Sequence, residues 1–123
     1  MTKRVLVIED QEDNRAILRD LLTAAGYEFI SAADGGEGVQ LAQKEKPDLI
    51  LMDIQLPVID GYEATRRIKA IPELAAIPII AVTSYALSGD ETKARAAGCD
   101  GYVTKPYSPR DLLVKVRQYL GEG

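Results

Sequence analysis

A run of four apolar residues that ends in a carboxylate constrains the fold of this chain more than any other feature. Residues 49–52 carry no polar side chain, and Asp53 follows them directly. A short apolar run of this kind is typical of a strand buried on both faces, as in a parallel sheet. Ligands bind at the carboxyl ends of the strands in such sheets. Asp53 is therefore a candidate functional residue, and the alternative is that it only caps the following turn.

Four further segments have the character of strands, and they cover residues 4–8, 27–33, 79–82 and 101–104. A helical segment follows each strand, and the second and fourth of these helices cover residues 36–44 and 87–97. Five strands alternating with five helices predict an α/β fold with a parallel sheet. Right-handed crossovers with helices on both faces restrict it to a doubly wound sheet. The length predicts a single domain over residues 1–123.

Three of the helices carry patterns that bear on packing. The first helix has an apolar stripe that is expected to face the core, made of Ile17, Leu18, Leu21, Leu22 and Ala25. The last helix begins near Ser108 and Pro109, an N-cap followed by a proline of the first turn. Beyond Leu87, the fourth helix offers mainly small side chains for packing, namely Ala94, Ala96 and Ala97. Little buried apolar area predicts low local stability, so a shift of this helix costs little free energy.

Composition excludes several classes of function. The chain contains no histidine, which excludes Ser-His and Cys-His catalysis, histidine metal sites and a phosphohistidine on this chain. A net charge of −4 argues against nucleic-acid and membrane partners. The apolar runs are too short to span a membrane, and the start does not resemble a signal peptide. The one cysteine, Cys99, is expected to be a buried or half-buried structural residue, and the expected location is the cytoplasm.

Polar side chains follow four of the predicted strands, namely Glu9 and Asp10, Asp53, Thr83 and Lys105. If the first and third strands are neighbours, three carboxylates share one crevice and repel each other unless a cation joins them. Mg²⁺ suits this set, because it binds one or two carboxylates together with waters and phosphate oxygens. Lys105 and the Thr83 hydroxyl can then hold an anion beside the metal. The set predicts phosphoryl transfer, with Asp53 as the nucleophile that becomes an aspartyl phosphate.

Each of these residues also has a simpler interpretation. Glu9 and Asp10 could serve only the dipole of the following helix. Thr83 could be a plain strand end or cap, and Lys105 a solvated surface lysine. A coincidence at all four strand ends is the weaker interpretation.

The residues at these strand ends match the motifs of a known family. The chain resembles the receiver (response regulator) domain of two-component signalling over nearly its whole length, on VLVIED at 5–10, DLILMDIQLPVIDGYE at 48–63, VTS at 82–84 and GYVTKP at 101–106. Within that family the likeness is greatest to stand-alone, single-domain regulators of the cell-cycle type, judged from MTKRVLVIED, KPDLILMDIQLP and GDE at 89–91. The resemblance implies the flavodoxin-like, CheY-like strand order 2-1-3-4-5.

The resemblance also implies a metal and phosphate site. Asp53 resembles the phosphoacceptor of the family. Asp10, Asp53 and the backbone carbonyl of Gln55 would bind Mg²⁺ directly, and Glu9 would act through a bound water.

Other residues would respond to phosphorylation. Thr83 would bond a phosphoryl oxygen after activation, and Lys105 would pair with the phosphoryl group. Tyr102 matches the aromatic residue that rotates inward on activation, and the alternative is a half-buried strand tyrosine. The bond between Lys105 and Pro106 is expected to be cis.

Three positions in this chain bear on the phosphorylated state. Ser84 stands where alanine or glycine is usual in the family, and its extra oxygen could alter that state. Gln55 and Tyr85 occupy the positions that set the lifetime of the phosphoaspartate in the family.

The family resemblance implies a signalling switch rather than an enzyme. A histidine kinase or histidine phosphotransferase would supply the phosphoryl group, whose charge of about −1.5 to −2 would act on Thr83 and Lys105. The face formed by the fourth helix, the fifth strand and the fifth helix is expected to move and to bind downstream protein targets. A monomer is expected. Because the sequence ends three residues after Leu120, we expect no attached output domain.

Several alternatives stay open at this stage. The chain could be a receiver excised from a hybrid histidine kinase, or a scaffold that has lost phosphorylation. A haloacid-dehalogenase-type phosphatase also uses Mg²⁺ and a strand-end aspartate, but it needs a second aspartate where Gln55 stands. A flavodoxin-like nucleotide binder needs a phosphate-binding loop after the first strand, where Glu9 and Asp10 would repel a phosphate. A Ca²⁺ loop starting at Asp10 lacks the required glycine and final acidic residue.

Overall fold

Five parallel strands form the centre of the molecule. A computed structural model describes residues 2–84 and 90–121. The strands are β1 (Arg4–Ile8), β2 (Glu28–Ala32), β3 (Leu49–Asp53), β4 (Ile79–Thr83) and β5 (Gly101–Thr104). They lie in the order β2-β1-β3-β4-β5, and every neighbouring pair is parallel. This confirms the doubly wound α/β fold and its 2-1-3-4-5 order.

Each strand is followed by a helix, and the helices are α1 (Glu12–Ala24), α2 (Gly35–Glu45), α3 (Gly61–Lys69), α4 (Asp90–Ala97) and α5 (Pro109–Leu120). Three of them begin with a side-chain cap, because the side chains of Asp34, Asp60 and Ser108 each accept a hydrogen bond from a backbone N–H three residues later. Chain reversal after α1 uses Gly26 at φ +95°, a conformation that favours glycine.

The two faces of the sheet are covered by different helices. Side chains alternate along each strand, so Leu6 and Ile8 pack with α2, α3 and α4, while Val5 and Val7 pack with α1 and α5. In β3, all five residues are buried. The central strands therefore have apolar contacts on both faces, as their apolar runs predicted.

Two expectations about the helices were wrong. Ile17 is 58% exposed, whereas Leu18 and Leu22 of the same stripe are buried. Ile17 lies at the edge of a stripe that is wider than the face covered by the sheet. In α4, Ala94 and Ala97 are buried but Ala96 is exposed.

Most element boundaries lie within one residue of the sequence expectation. The second strand begins one residue later than expected and ends one residue earlier, and α2 extends one residue further at each end. The expected start of the fourth helix at Leu87 lies outside the described residues. No helix within residues 2–84 and 90–121 is long and apolar enough to cross a membrane.

Candidate functional site

The register of the sheet brings the acidic residues together at its carboxyl edge. Ile8 of β1 pairs with Met52 of β3, so the next residues in each chain segment, Glu9 and Asp53, lie side by side. Both are buried, at 3% and 5% exposure. Asp10 follows Glu9 and is half-buried. The carboxylates of these three residues offer oxygen atoms that all lie within 4.8 Å of one another.

Lys105 bridges two of these carboxylates. Its Nζ lies 3.2 Å from Glu9 Oε1 and 3.2 Å from Asp53 Oδ2. Its backbone N–H also donates to the carbonyl of Thr83 at 2.7 Å, which holds the start of the loop after β5 against the end of β4. The side chain is 24% exposed. Lys105 is thus a half-buried partner of the acidic residues and not a solvated surface lysine.

Backbone N–H groups orient the two buried carboxylates. The N–H of Gln11 donates to Glu9 Oε2 at 2.9 Å, and the N–H of Gln55 donates to Asp53 Oδ1 at 2.9 Å. Asp53 therefore caps the turn after β3, as the simpler interpretation proposed. Its second oxygen contacts Lys105, so the cap and the cluster coexist in one side chain.

Burial and the neighbouring carboxylate perturb Glu9. Burial, with a further contribution from Asp53, raises the pKa of the Glu9 carboxyl from 4.5 to about 7. The Gln11 N–H and the charge of Lys105 act in the opposite direction but do not cancel the effect. Glu9 is therefore harder to ionise than an exposed glutamate, although Lys105 Nζ lies 3.2 Å from its Oε1.

The pKa of the Lys105 ammonium group is raised, which favours its charged form. Burial alone would lower the pKa of its ammonium group, but the charges of Asp53 and Glu9 outweigh burial and raise it. Lys105 is therefore a permanent cation at neutral pH, and the site contains at least one fixed positive charge.

The donor set of the cluster fits a hard divalent cation. Three carboxylates with converging oxygens are the type of ligand that Mg²⁺ prefers, and Mg²⁺ keeps several waters beside such ligands. Asp10 is the most exposed of the three, so the open side of the cluster lies next to it. Gln55 is exposed and follows Asp53 by two residues.

The remaining predicted residues surround the same edge. Thr83 is fully buried as the last residue of β4. Tyr102 is half-buried in β5 and packs against the core on the α2, α3 and α4 side of the sheet. The bond between Lys105 and Pro106 is cis, as expected. Ser84 is exposed directly after Thr83, and the position of Tyr85 lies outside the described residues.

Two residues near the site escaped the sequence analysis. Arg15 of α1 donates a hydrogen bond from Nη1 to the backbone carbonyl of Glu9 at 2.8 Å. Tyr107 lines a small cavity together with Glu9 and Asp53, and burial raises the pKa of its phenol. In the sequence, only the position of Arg15 could have indicated its role. It is a basic residue at the start of the helix that follows an acidic segment.

Comparison with known proteins identifies the class of this fold and site. The family model of the response regulator receiver domain matches residues 5–117. The chain belongs to this family, as its motifs indicated, and is therefore a receiver domain, a signalling switch that works with histidine kinases or phosphotransferases and with downstream targets.

Among curated relatives, the chain is 47% identical to the polar-differentiation response regulator DivK of Brucella ovis over 122 residues, which is 99% of each chain. Its identity to DivK of Brucella anthropi is 46% over the same share of each chain. These similarities confirm the likeness to regulators of the cell-cycle type.

Two solved structures are also close. The receiver domain of the sensor histidine kinase PA1611 from Pseudomonas aeruginosa, which has a magnesium ion coordinated in its active-site cleft, has a TM-score of 0.91 at 36% identity, covering 99% of this chain and 100% of that chain. The chemotaxis protein CheY4 of Vibrio cholerae has a TM-score of 0.93 at 30% identity, covering 98% of this chain and 100% of that chain.

Proposed function

We propose that this protein is a phosphorylation-activated switch in which Asp53 accepts a phosphoryl group from a phosphohistidine of a partner protein. One observation carries the proposal. The carboxylates of Glu9, Asp10 and Asp53 converge within 4.8 Å of one another, and Lys105 Nζ lies 3.2 Å from both Glu9 and Asp53. Asp53 therefore belongs to a group of carboxylates that could bind a metal ion, and it also contacts a lysine. Phosphoryl transfer requires positive charges of this kind around the reacting group.

The proposed reaction moves one phosphoryl group. A carboxylate oxygen of Asp53 attacks the phosphorus, a P–O bond forms, the P–N bond breaks, and its electron pair returns to the histidine nitrogen. Because this chain contains no histidine, the phosphohistidine belongs to a histidine kinase or histidine phosphotransferase. The chain promotes only its own phosphorylation and dephosphorylation, so it is a switch and not an enzyme acting on a separate substrate.

The metal ligands in this proposal are the carboxylates of Asp10 and Asp53 and the backbone carbonyl of Gln55. Glu9 acts through a bound water. A magnesium ion supplies charge neutralisation for the phosphoryl oxygens when it is bound. Support comes from the donor set of the cluster and from the magnesium ion in the cleft of the PA1611 receiver domain.

Thr83 and Lys105 connect the phosphoryl group to the rest of the molecule. In the proposal the Thr83 hydroxyl donates to a phosphoryl oxygen and Lys105 pairs with the new charge. Lys105 then loosens its contacts with the carboxylates. The hydrogen bond from the Lys105 N–H to the Thr83 carbonyl, at 2.7 Å, couples these two responses.

The face formed by α4, β5 and α5 is the proposed output surface. The body of α4 buries Ala94 and Ala97, two small side chains, so displacing this helix loses little apolar contact. Tyr102 of β5 is proposed to move inward when Thr83 moves. Amide exchange of residues 84–107 should therefore differ between the phosphorylated and unphosphorylated protein, and identical exchange would contradict this part of the proposal.

Further parts of the proposal concern organisation and location. We propose a single receiver domain over residues 1–123 that works as a monomer in the cytoplasm and controls partner proteins. The similarity to DivK, which covers 99% of both chains, supports the single-domain organisation.

The test is phosphorylation by a small donor. The protein is incubated with acetyl phosphate and Mg²⁺, and the intact mass is measured. The expected result is one added phosphoryl group with Mg²⁺ and none with EDTA. Asp53→Asn should remove the adduct, while Asp20→Asn, at an exposed position on α1 whose ion pair is with Arg19, should keep it. An adduct that persists in Asp53→Asn would refute the assignment of Asp53.

A further inference from the structure

Every polar atom of Glu9 has a partner within the protein. Its N–H donates to the carbonyl of Ala32 at 3.0 Å, which continues the pairing of β1 with β2. Its two carboxylate oxygens accept from the Gln11 N–H and from Lys105. The remaining atom, the backbone carbonyl oxygen, accepts from Arg15 Nη1 at 2.8 Å.

The Arg15 contact fixes the orientation of one peptide bond. The carbonyl of Glu9 belongs to the peptide that joins Glu9 to Asp10, at the point where the chain leaves the sheet. If this carbonyl were free to rotate, the peptide plane would turn and the Asp10 side chain would move with it. Asp10 is the half-buried member of the carboxylate cluster and has less packing to hold it than Glu9 or Asp53.

We propose that Arg15 is a positioning residue for the metal site: its guanidinium holds the peptide between Glu9 and Asp10 so that the Asp10 carboxylate stays converged with those of Glu9 and Asp53. The inference rests on the proposed function of this cluster as a Mg²⁺ site. Residues that orient metal ligands without touching the metal typically change affinity by about 10- to 100-fold when removed.

The sign of the effect separates positioning from charge. Arg15 is a cation close to a cation site, so by electrostatics alone its removal should strengthen Mg²⁺ binding. Positioning predicts the opposite, because a mobile Asp10 must be ordered when the ion binds. A residue that serves only to hold α1 in place would change stability and leave the Mg²⁺ affinity of the folded protein unaltered.

The experiment compares Arg15→Met, Arg15→Lys and the control Arg19→Met. Arg19 lies one turn further along α1, is exposed, and forms an ion pair with Asp20, so its removal deletes the same charge without touching Glu9. The Mg²⁺ dissociation constant is measured by isothermal titration calorimetry. We expect it to rise about tenfold in Arg15→Met, to rise less in Arg15→Lys, which keeps one donor, and to stay near the wild-type value in Arg19→Met.

A second readout needs no metal. The Gln11 amide donates to the Glu9 carboxylate, and its hydrogen exchange in EDTA reports whether the loop between β1 and α1 is held. Exchange at Gln11 should be about tenfold faster in Arg15→Met and unchanged in Arg19→Met. If the wild type failed to bind Mg²⁺, the proposed function would fail, while this exchange result would still decide the role of Arg15.

Two results would overturn the inference. One is an Mg²⁺ affinity in Arg15→Met equal to or tighter than that of the wild type. The other is unchanged exchange at Gln11. If Arg15→Met does not fold, Arg15→Lys decides the matter, because a wild-type dissociation constant and wild-type exchange in that variant would show that the geometry of the guanidinium is not needed.

Discussion

Replacing Glu9 by glutamine should stabilise the metal-free protein in a pH-dependent way. Glutamine has the shape of a protonated glutamate, keeps an oxygen for Lys105 or the Gln11 N–H, and can donate from its amide to Asp53 as a protonated Glu9 would. It cannot ionise. The variant therefore removes one of the three carboxylate charges, together with one of the two hydrogen bonds that the Glu9 carboxylate accepts.

The magnitude follows from the perturbed acid. Burial and the proximity of Asp53 raise the pKa of Glu9 from 4.5 to about 7, a difference of about 2.5 pH units. Each unit corresponds to about 1.4 kcal/mol, so ionising Glu9 costs the folded state about 3 kcal/mol. The side chain is 4% exposed, so solvent screening does not reduce this value substantially.

The sign of the pH dependence is fixed by which state binds the proton more tightly. The folded-state pKa lies above the unfolded value, so the folded protein binds more protons between about pH 4.5 and 7. The stability of the wild type falls as pH rises through this window, relative to the glutamine variant. Below about pH 4.5, the difference in free energy of unfolding between the wild type and Glu9→Gln is constant. Above about pH 7 it is constant again, because the wild type has lost all of the stability that depends on this proton.

Urea unfolding in EDTA at several pH values measures this difference. The advantage of Glu9→Gln over the wild type should grow by about 3 kcal/mol between pH 4.5 and 8 and shrink when Mg²⁺ is added. Glu63→Gln is the control, because Arg67 and Arg66 lower the pKa of this exposed carboxyl. Its difference from the wild type should change only as pH falls through the lower, folded-state pKa and should be flat from pH 6 to 8. A flat difference for Glu9→Gln as well would refute the view that burial and the proximity of Asp53 make Glu9 hard to ionise.

Three further predictions concern stability and reactivity. Tyr27→Phe should raise the free energy of unfolding by about 1 kcal/mol. Among the described residues, the Tyr27 hydroxyl is the one buried side-chain polar atom without a hydrogen-bond partner. A loss of stability in urea would show that this hydroxyl does have a partner. Gly61→Ala should cost about 2 kcal/mol or more, since its Cβ would overlap the Asp53 carbonyl oxygen and lie 2.6 Å from Ile54 Cα. Gly36→Ala should be close to neutral in the same denaturation assay, because the nearest atom to its Cβ is a side-chain oxygen at 3.3 Å. Cys99 is 5% exposed and burial raises the pKa of its thiol, so a thiol reagent should label it only under unfolding conditions, and rapid labelling of the native protein would contradict its placement.

The strands could be predicted because each is marked by a short contiguous run of apolar residues. An apolar run such as residues 49–52 must be covered on both faces, and that requirement alone selects a parallel sheet with helices on both sides. The packing of α1 was less predictable. Its apolar stripe spans more of the helix circumference than the sheet covers. Ile17 lies four residues before Leu21, as Leu18 lies four before Leu22, but Ile17 is exposed and Leu18 is buried.

The site was predictable to the extent that it consists of strand ends. Asp53, Thr83 and Lys105 meet because parallel strands end at one edge of the sheet. The support from Arg15 could not be predicted, because a hydrogen bond to a backbone carbonyl leaves no periodic pattern in the sequence. The raised pKa of Glu9 likewise depends on burial and on its distance from Asp53, which only the folded arrangement defines.

The central claim is that Asp53 itself carries the phosphoryl group. After reaction with acetyl phosphate and Mg²⁺, borohydride reduces an acyl phosphate to an alcohol, and peptide mass spectrometry locates the reduced residue. The account predicts that Asp53 is converted to homoserine, and that EDTA prevents the conversion. Reduction at Glu9 or Asp10 instead, or conversion of Asp53 to the same extent in EDTA, would contradict it.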